Sequence, residues 1–333
     1  MRLVQLIHPH FGRKVAVVEE PFLGILKSFS TILEIIHSTF RVKGKLVDIV
    51  TMADKTEALN YDAIYSGRSD WQLVPPIDDP GDFQHLLLSG TGLTHRSSAL
   101  NRNAMHDESG NMQMTDSMKM YQWGEQGGRP RPGEVGVQPE WFYKGNGSQL
   151  ATHGDMLQIP SFALDGGEEP EIAGIYVVDE DGKPWRIGWV TANEFSDHVM
   201  EKQNYLYLAP SKIRNCSIGP ELVLDIDFQD ISGKVSVIRQ GAPCWSADIR
   251  TGEKNMCHSL SNLEYHHFKY PSHRIPGQIH VHFFGADAFS FGKGIILEEG
   301  DEMEIAWDGM GRPLRNTVTF ENTDQKYLEI NRL

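Results

Sequence analysis

Short apolar runs alternate with clusters of turn-forming residues along the chain, and this punctuation predicts its elements. "RLVQLI" (2–7) and "KVAVVEE" (14–20) read as a hairpin joined by "HPHFGR", and "FSTILEIIHSTFRV" (29–42) repeats its apolar residues at helical spacing. "WQLVPPIDDPGDF" (71–83), dense in Pro and Asp, reads as a linker. "FQHLLLSGTGLTH" (83–95) is a buried strand running into a loop. Residues 101–138, rich in Met, Gln, Gly and Pro, read as an irregular excursion around one short helix, "TDSMKMYQW" (115–123). From 139 onward strands dominate: "EWFYKG", "EIAGIYVV", "RIGWVTA", "LVLDIDF", "KVSVIRQ", "QIHVHFFGA" and "EMEIAW". One helix, "SLSNLEYHHFKY" (259–270), interrupts them. The pattern predicts an α+β chain: a small N-terminal α/β unit (1–75), then a rolled or sandwiched β-domain (76–333). The 101–138 excursion is expected to be a lid or a dimer element.

Composition changes this picture little. The 333 residues are 40% hydrophobic and 23% charged, enough to bury a substantial core. A formal charge of −14 argues against nucleic acid or an anionic membrane as a partner. No apolar run is long enough to span a bilayer, and the first residues lack the apolar core of a secretory signal. Cys216, Cys244 and Cys257 are scattered without CxxC spacing, which suits free thiols in a reducing cytoplasm.

The chemistry is concentrated at strand ends. "GEEPEIAGIYVV" (167–178) opens an apolar strand with Glu168, Glu169 and Glu171. Residues i and i+2 of a strand share a face, so Glu169 and Glu171 stand side by side, and Pro170 between them suits a strand entrance. Two like charges on one face remain ionised cheaply only in water or around a cation. "GWVTANEFSDH" (188–198) places Glu194 at the end of a second apolar strand, one hairpin later. Three carboxylates from two strand ends make a hard oxygen site suited to Mg²⁺ or Mn²⁺. His280 and His282 alternate on one strand face and read as a polar pair inside the β-domain, while His266 and His267 read as surface or interface residues. "GTG" (90–92) lacks the context of a phosphate loop, and Ser148 lies in no G-x-S-x-G elbow.

Taken in order, these pieces resemble the fumarylacetoacetate hydrolase superfamily. The family's E-x-E strand reads here "EPE" (169–171), and its G-Y-T-x-A-N-D-x-S-x-R-D strand end reads "GWVTANEFSDH". "SKIRNCSIGP" (211–220), "PGQ" (276–278) and "GMGRPLRNTV" (309–318) follow in the family's sequence, and "GTGLTHRSSA" (90–99) and "PEWFYKGNGS" (139–148) precede it. The resemblance spans about residues 85–320. It implies Glu169, Glu171 and Glu194 as ligands of Mg²⁺ (or Mn²⁺), Lys144, Lys212 and His95 as catalytic groups, and Thr94, Arg96, Ser98, Ser148, Glu201 and Gly285 as substrate contacts. Glu194 stands where the family usually carries Asp, so Asp197, three residues on, is the alternative third ligand. The hydrolytic His of the family is replaced by Ser98, its Gln by Glu201, and its Thr-Gly-Thr loop by "HFFGADAF" (282–289).

Within the family the chain looks most like the dehydratases of 2-keto-3-deoxy sugar acids, hydro-lyases of pentose catabolism. The implied reaction removes a C3 proton from a chelated 2-oxo acid to give a metal-bound enolate, expels the C4 hydroxyl as water, and then tautomerises across C4–C5 to 2-oxoglutarate semialdehyde. A desolvated lysine of lowered pKa would serve as base or carboxylate clamp. The rival readings are hydrolysis of a 2,4-diketo acid, decarboxylation of a 2-oxo acid, and a non-catalytic sugar-acid-binding protein. The resemblance also implies a cytoplasmic homodimer acting on a small 2-oxo sugar acid, with no membrane or nucleic-acid partner.

Overall fold

The computed structural model describes residues 1–106, 115–325 and 327–333. The N-terminal stretch forms β1 (Arg2–His8), β2 (Gly12–Glu19), β3 (Phe22–Leu26), α1 (Ile32–Val42), α2 (Leu46–Met52), β4 (Lys55–Asn60), α3 (Tyr61–Tyr65) and β5 (Gln72–Val74). Next come β6 (Leu86–Gly90), α4 (Arg96–His106), α5 (Asp116–Gly127), β7 (Phe142–Asn146), β8 (Leu150–Ala151) and β9 (Met156–Ile159). A long hairpin, β10 (Pro170–Val178) and β11 (Pro184–Asn193), precedes α6 (His198–Gln203), α7 (Leu208–Lys212), β12 (Cys216–Ile218) and β13 (Leu222–Val223). The chain closes with β14 (Ile231–Arg239), β15 (Ala242–Thr251), α8 (Leu260–Phe268), β16 (Ile279–Phe283), β17 (Glu302–Trp307) and β18 (Leu314–Phe320).

Two sheets organise the described residues. The larger runs β4-β3-β2-β1-β13-β11-β10-β16-β6-β7, with β5, β8 and β12 attached at its side, and the smaller runs β15-β14-β17-β18-β9. β10 lies at the centre and every one of its residues is buried, which explains its unbroken apolar run. Alternation sends Ala173, Ile175 and Val177 into a core shared with Ile32, Ile35 and Ile36 of α1. Ile172 and Tyr176 pack instead with Trp189, Phe284, Ile305 and Trp307 beneath the second sheet. Fully burying each such side chain contributes roughly 1.5–3 kcal/mol.

The expected hairpin and first helix are present, and Thr31 and Glu34 start that helix with a reciprocal capping box. The N-terminal strands continue the large sheet, because Arg2 and Leu3 pair with Val223 and Leu222. The stretch read as a linker begins with β5, which pairs with β1 at Gln5↔Val74. "LVLDIDF" supplies only the short β13. Within 101–138 there are two helices instead of one; residues 107–114 of the expected lid lie outside the described residues. No helix among the described residues is long and apolar enough to cross a membrane.

Candidate metal centre and active site

The β10–β11 hairpin builds the centre. Its ladder pairs Pro170 with Asn193 and extends past the strands, where Glu194 N donates to Glu169 O at 3.0 Å and Gly167 bridges Ser196. Glu194 therefore crosses directly over the E-x-E entrance. One carboxylate oxygen from each of Glu169, Glu171 and Glu194 lies within 4.8 Å of the others, and all three residues are buried. Asp197 is employed elsewhere: it caps α6 through Met200 N at 2.8 Å, accepts from Leu164 N, and pairs with Arg214 at 3.0 Å. Geometry thus brings Glu194, and not Asp197, to the triad. Glu168 faces another way and accepts from both the backbone N and the hydroxyl of Ser290.

Two fully buried lysines neutralise part of this charge. Lys212 Nζ lies 2.6 Å from Glu169 Oε1, 3.2 Å from Glu194 Oε2 and 3.1 Å from Ser196 Oγ. Lys144 Nζ donates to Phe195 O at 2.7 Å and Lys212 O at 3.1 Å, and lies 3.1 Å from Glu194 Oε1. The expected lowering of a lysine pKa is not found at Lys212. Burial does oppose its charge, but Glu169 and Glu194 outweigh it and hold the ammonium above its usual range. Burial likewise works against ionised Glu169, yet Lys212 and His198 keep its carboxyl well below normal. Burial together with the Glu194 and Glu169 charges pushes Glu171 well above normal. Glu194 is also raised, by burial and by Glu169, against the pull of both lysines.

This arrangement fits a divalent cation. Among the described residues Glu171 Oε1 is buried without a hydrogen-bond partner, and three carboxylates outnumber the two ammonium groups in contact with them. A bound Mg²⁺ would leave that set one positive charge in excess, matching the carboxylate of a 2-oxo acid.

The remaining expected residues sort into two groups. Thr94 and His95 are buried on the loop after β6, and Gly285 N donates to Glu171 Oε2 at 2.6 Å. Burial pushes the His95 imidazole down to about 4, against the opposing pull of Asp287. Glu201 is buried and ion-paired with Arg102 of α4. In contrast, Arg96 and Ser148 are exposed, the latter donating to Asn146 Oδ1 at 2.7 Å, and Ser98 turns back onto His95 O at 3.0 Å.

Several neighbours escaped the sequence reading. His198, stacked on Phe289, lies 2.9 Å from Glu169 Oε1, so a histidine does stand at the centre, engaged with a ligand carboxylate. Arg102 also grips both oxygens of Glu140, at 3.0 and 2.8 Å, and Tyr205 donates to the same carboxylate. His198 was visible at the end of "EFSDH"; Arg102 lay in the Asn-rich "LNRNAM", which carries no apolar periodicity. His266 and His267, expected at the surface, are buried. His267 Nε2 sits 2.9 Å from His280 Nδ1 and Trp141 donates to His267 Nδ1, because α8 packs against β16 with its histidines inward.

The two-sheet body with an acidic triad at a buried hairpin mouth agrees with what the motif resemblance implied. No family model matches the chain. It is 27% identical over 186 residues to a probable 2-keto-3-deoxyxylonate dehydratase of Haloferax volcanii; the match covers 54% of this chain and 60% of that relative's length. It is similar to the solved 2-keto-3-deoxy-D-arabinonate dehydratase complexed with magnesium and 2,5-dioxopentanoate, at a TM-score of 0.71 and 18% identity, covering 97% of this chain and 100% of that one. The 2-hydroxyhepta-2,4-diene-1,7-dioate isomerase of Mycobacterium marinum shares the fold at a TM-score of 0.60 and 15% identity, over 97% and 100% of the two chains.

Proposed function

We propose that this protein is a Mg²⁺-dependent dehydratase of a 2-keto-3-deoxy pentonate that releases 2-oxoglutarate semialdehyde. The observation that carries the reading is the buried Glu169–Glu171–Glu194 triad with Lys144 and Lys212 packed on it. The names of two of the three similar proteins, dehydratases of 2-keto-3-deoxy pentonates, support the substrate class. A bound divalent cation would supply the Lewis acidity that makes the C3 protons of a chelated 2-oxo acid removable.

The chain's own residues supply the rest. Lys212 keeps its proton against burial, so it suits a clamp on the substrate carboxylate or a donor to the departing C4 hydroxyl better than a base. His95, which burial pushes down to about 4, stays neutral and offers a lone pair as a hydrogen-bond acceptor better than it serves as a strong base. Glu201 and Arg102, buried and ion-paired with each other, are assigned in this reading to the sugar hydroxyls. Arg96, Ser98 and Ser148 receive no role, since solvent or their own helix and turn claim them. The same reading keeps residues 1–75 as a small N-terminal domain and 101–138 as a lid or dimer excursion, of which the described part is tied to the rest of the fold by the ion pairs of Arg102 with Glu140 and Glu201. It places the protein in the cytoplasm as a homodimer in pentose catabolism, a setting that the free Cys216, Cys244 and Cys257 suit.

The test is a substrate panel. A 2-keto-3-deoxy pentonate retains one stereocentre, C4, so both enantiomers are offered beside an acylpyruvate, with Mg²⁺ or with EDTA, and semialdehyde is detected with a coupled dehydrogenase. Mg²⁺-dependent semialdehyde from one enantiomer is expected. Faster cleavage of the acylpyruvate than dehydration of either enantiomer would contradict the reading.

A further inference from the structure

Thr94 stands at the centre of a chain of hydrogen bonds that ends on the triad. Its Oγ1 lies 2.7 Å from Phe284 O, and a carbonyl only accepts, so the single hydroxyl proton points there. His95 Nδ1 lies 2.9 Å from the same hydroxyl. With the hydroxyl proton committed, the imidazole must be the donor, so Nδ1 carries the hydrogen and Nε2 keeps a lone pair. That Nε2 is buried and has no hydrogen-bond partner among the described residues.

The peptide unit that accepts from Thr94 also donates to a carboxylate of the triad. Its N–H belongs to Gly285 and reaches Glu171 Oε2 at 2.6 Å, leaving Oε1 of that residue without a partner. The order is His95 Nδ1–H, Thr94 Oγ1–H, the Phe284–Gly285 peptide, then Glu171. Every dipole runs toward the carboxylate, and such chains polarise one another. Gly285 makes the close approach feasible: its φ is +95°, and a Cβ there would stand 2.1 Å from Thr94 Oγ1.

We propose that Thr94 is a positioning residue that, through the Phe284–Gly285 peptide, aims the free oxygen of Glu171 at the cation and fixes His95 as its Nδ1–H tautomer. The proposal rests on the cation-binding reading of the triad. It makes cation affinity and the His95 tautomer depend on one hydroxyl, which is committed to the Phe284 carbonyl and the His95 ring. Valine preserves the shape of Thr94 and removes the hydroxyl, whereas serine preserves the hydroxyl.

The experiment measures Mn²⁺ affinity by calorimetry and the His95 tautomer by ¹⁵N NMR, in the full chain, for wild type, Thr94→Val, Thr94→Ser and Glu171→Gln. Thr94→Val is expected to weaken Mn²⁺ binding about tenfold, as loss of an outer partner of a metal ligand does. It should also mix the His95 tautomers, and Thr94→Ser should restore both properties. Should valine disturb the loop, Thr94→Ala against Thr94→Ser carries the same comparison. Wild-type affinity and an unchanged tautomer in Thr94→Val would overturn the relay while Glu171→Gln still loses Mn²⁺. Equal Mn²⁺ affinity in Glu171→Gln and wild type would overturn the metal reading, and the relay with it.

Discussion

Glu171 carries the energetic tension of the centre. Its burial and the charges of Glu194 and Glu169 push its pKa well up, and one of its oxygens has no hydrogen-bond partner among the described residues. A carboxyl raised in the folded state contributes stability that is present below its unfolded pKa and is lost as pH rises toward the folded value. Removing the charge should therefore help the metal-free protein at neutral pH. Glu171→Gln is expected to raise the melting temperature in EDTA and to abolish the further rise on adding Mg²⁺, both read by differential scanning calorimetry. A lower melting temperature in EDTA would show that the carboxylate is not under repulsion. At this scale the sequence was informative about the carboxylate pair, because the i, i+2 spacing on a strand places Glu169 and Glu171 side by side without help from the rest of the fold. It was uninformative about the ionisation of Lys212, whose partners Glu169, Glu194 and Ser196 come from other segments.

The β10–β11 hairpin and the start of α6 decide which acid joins Glu169 and Glu171 in the triad. The ladder carries Glu194 over Glu169, and the chain then turns so that Asp197 caps α6 and meets Arg214. Asp197→Ala removes a cap and leaves a buried guanidinium short of its partner, at a cost of roughly 3–5 kcal/mol. Denaturant unfolding should show this loss while Mn²⁺ affinity per folded molecule stays near wild type; loss of Mn²⁺ binding with unchanged stability would make Asp197 the ligand instead. Elements with a clean period were legible in advance: β10 through its apolar run, α1 through its helical stripe. α4 was not, because "RSSALNRNAMH" has too few apolar residues to show a face, and its placement depends on Arg102 finding Glu140 and Glu201.

Across the whole molecule, distant segments are tied by buried polar groups that pattern reading cannot pair. Glu221 accepts from Arg2 at 2.8 Å, Tyr61 at 3.0 Å and the backbone of Arg312 at 3.0 Å, joining the N-terminal strands to the C-terminal loop. The histidines show a similar dependence on context. Burial holds His95, His153 and His258 down at about 4 and His280 and His282 at about 3. The unfolded chain binds protons at these sites near pH 6.5, before the folded one does, so stability falls as pH drops from there toward about 3. Each such histidine contributes a slope of about 1.4 kcal/mol per pH unit within its window. Urea unfolding near neutral pH and at about pH 5 should show a clear loss at the lower value, and equal midpoints would contradict the buried, neutral state of these rings. For the account as a whole, the most direct measurement is proton NMR of the 2-keto-3-deoxy pentonate in D₂O with the purified protein. The C3 protons are predicted to exchange and semialdehyde to form only with Mg²⁺ present, and neither to occur with Glu169→Ala. Exchange and product at the same rate in EDTA, or in that variant, would contradict it.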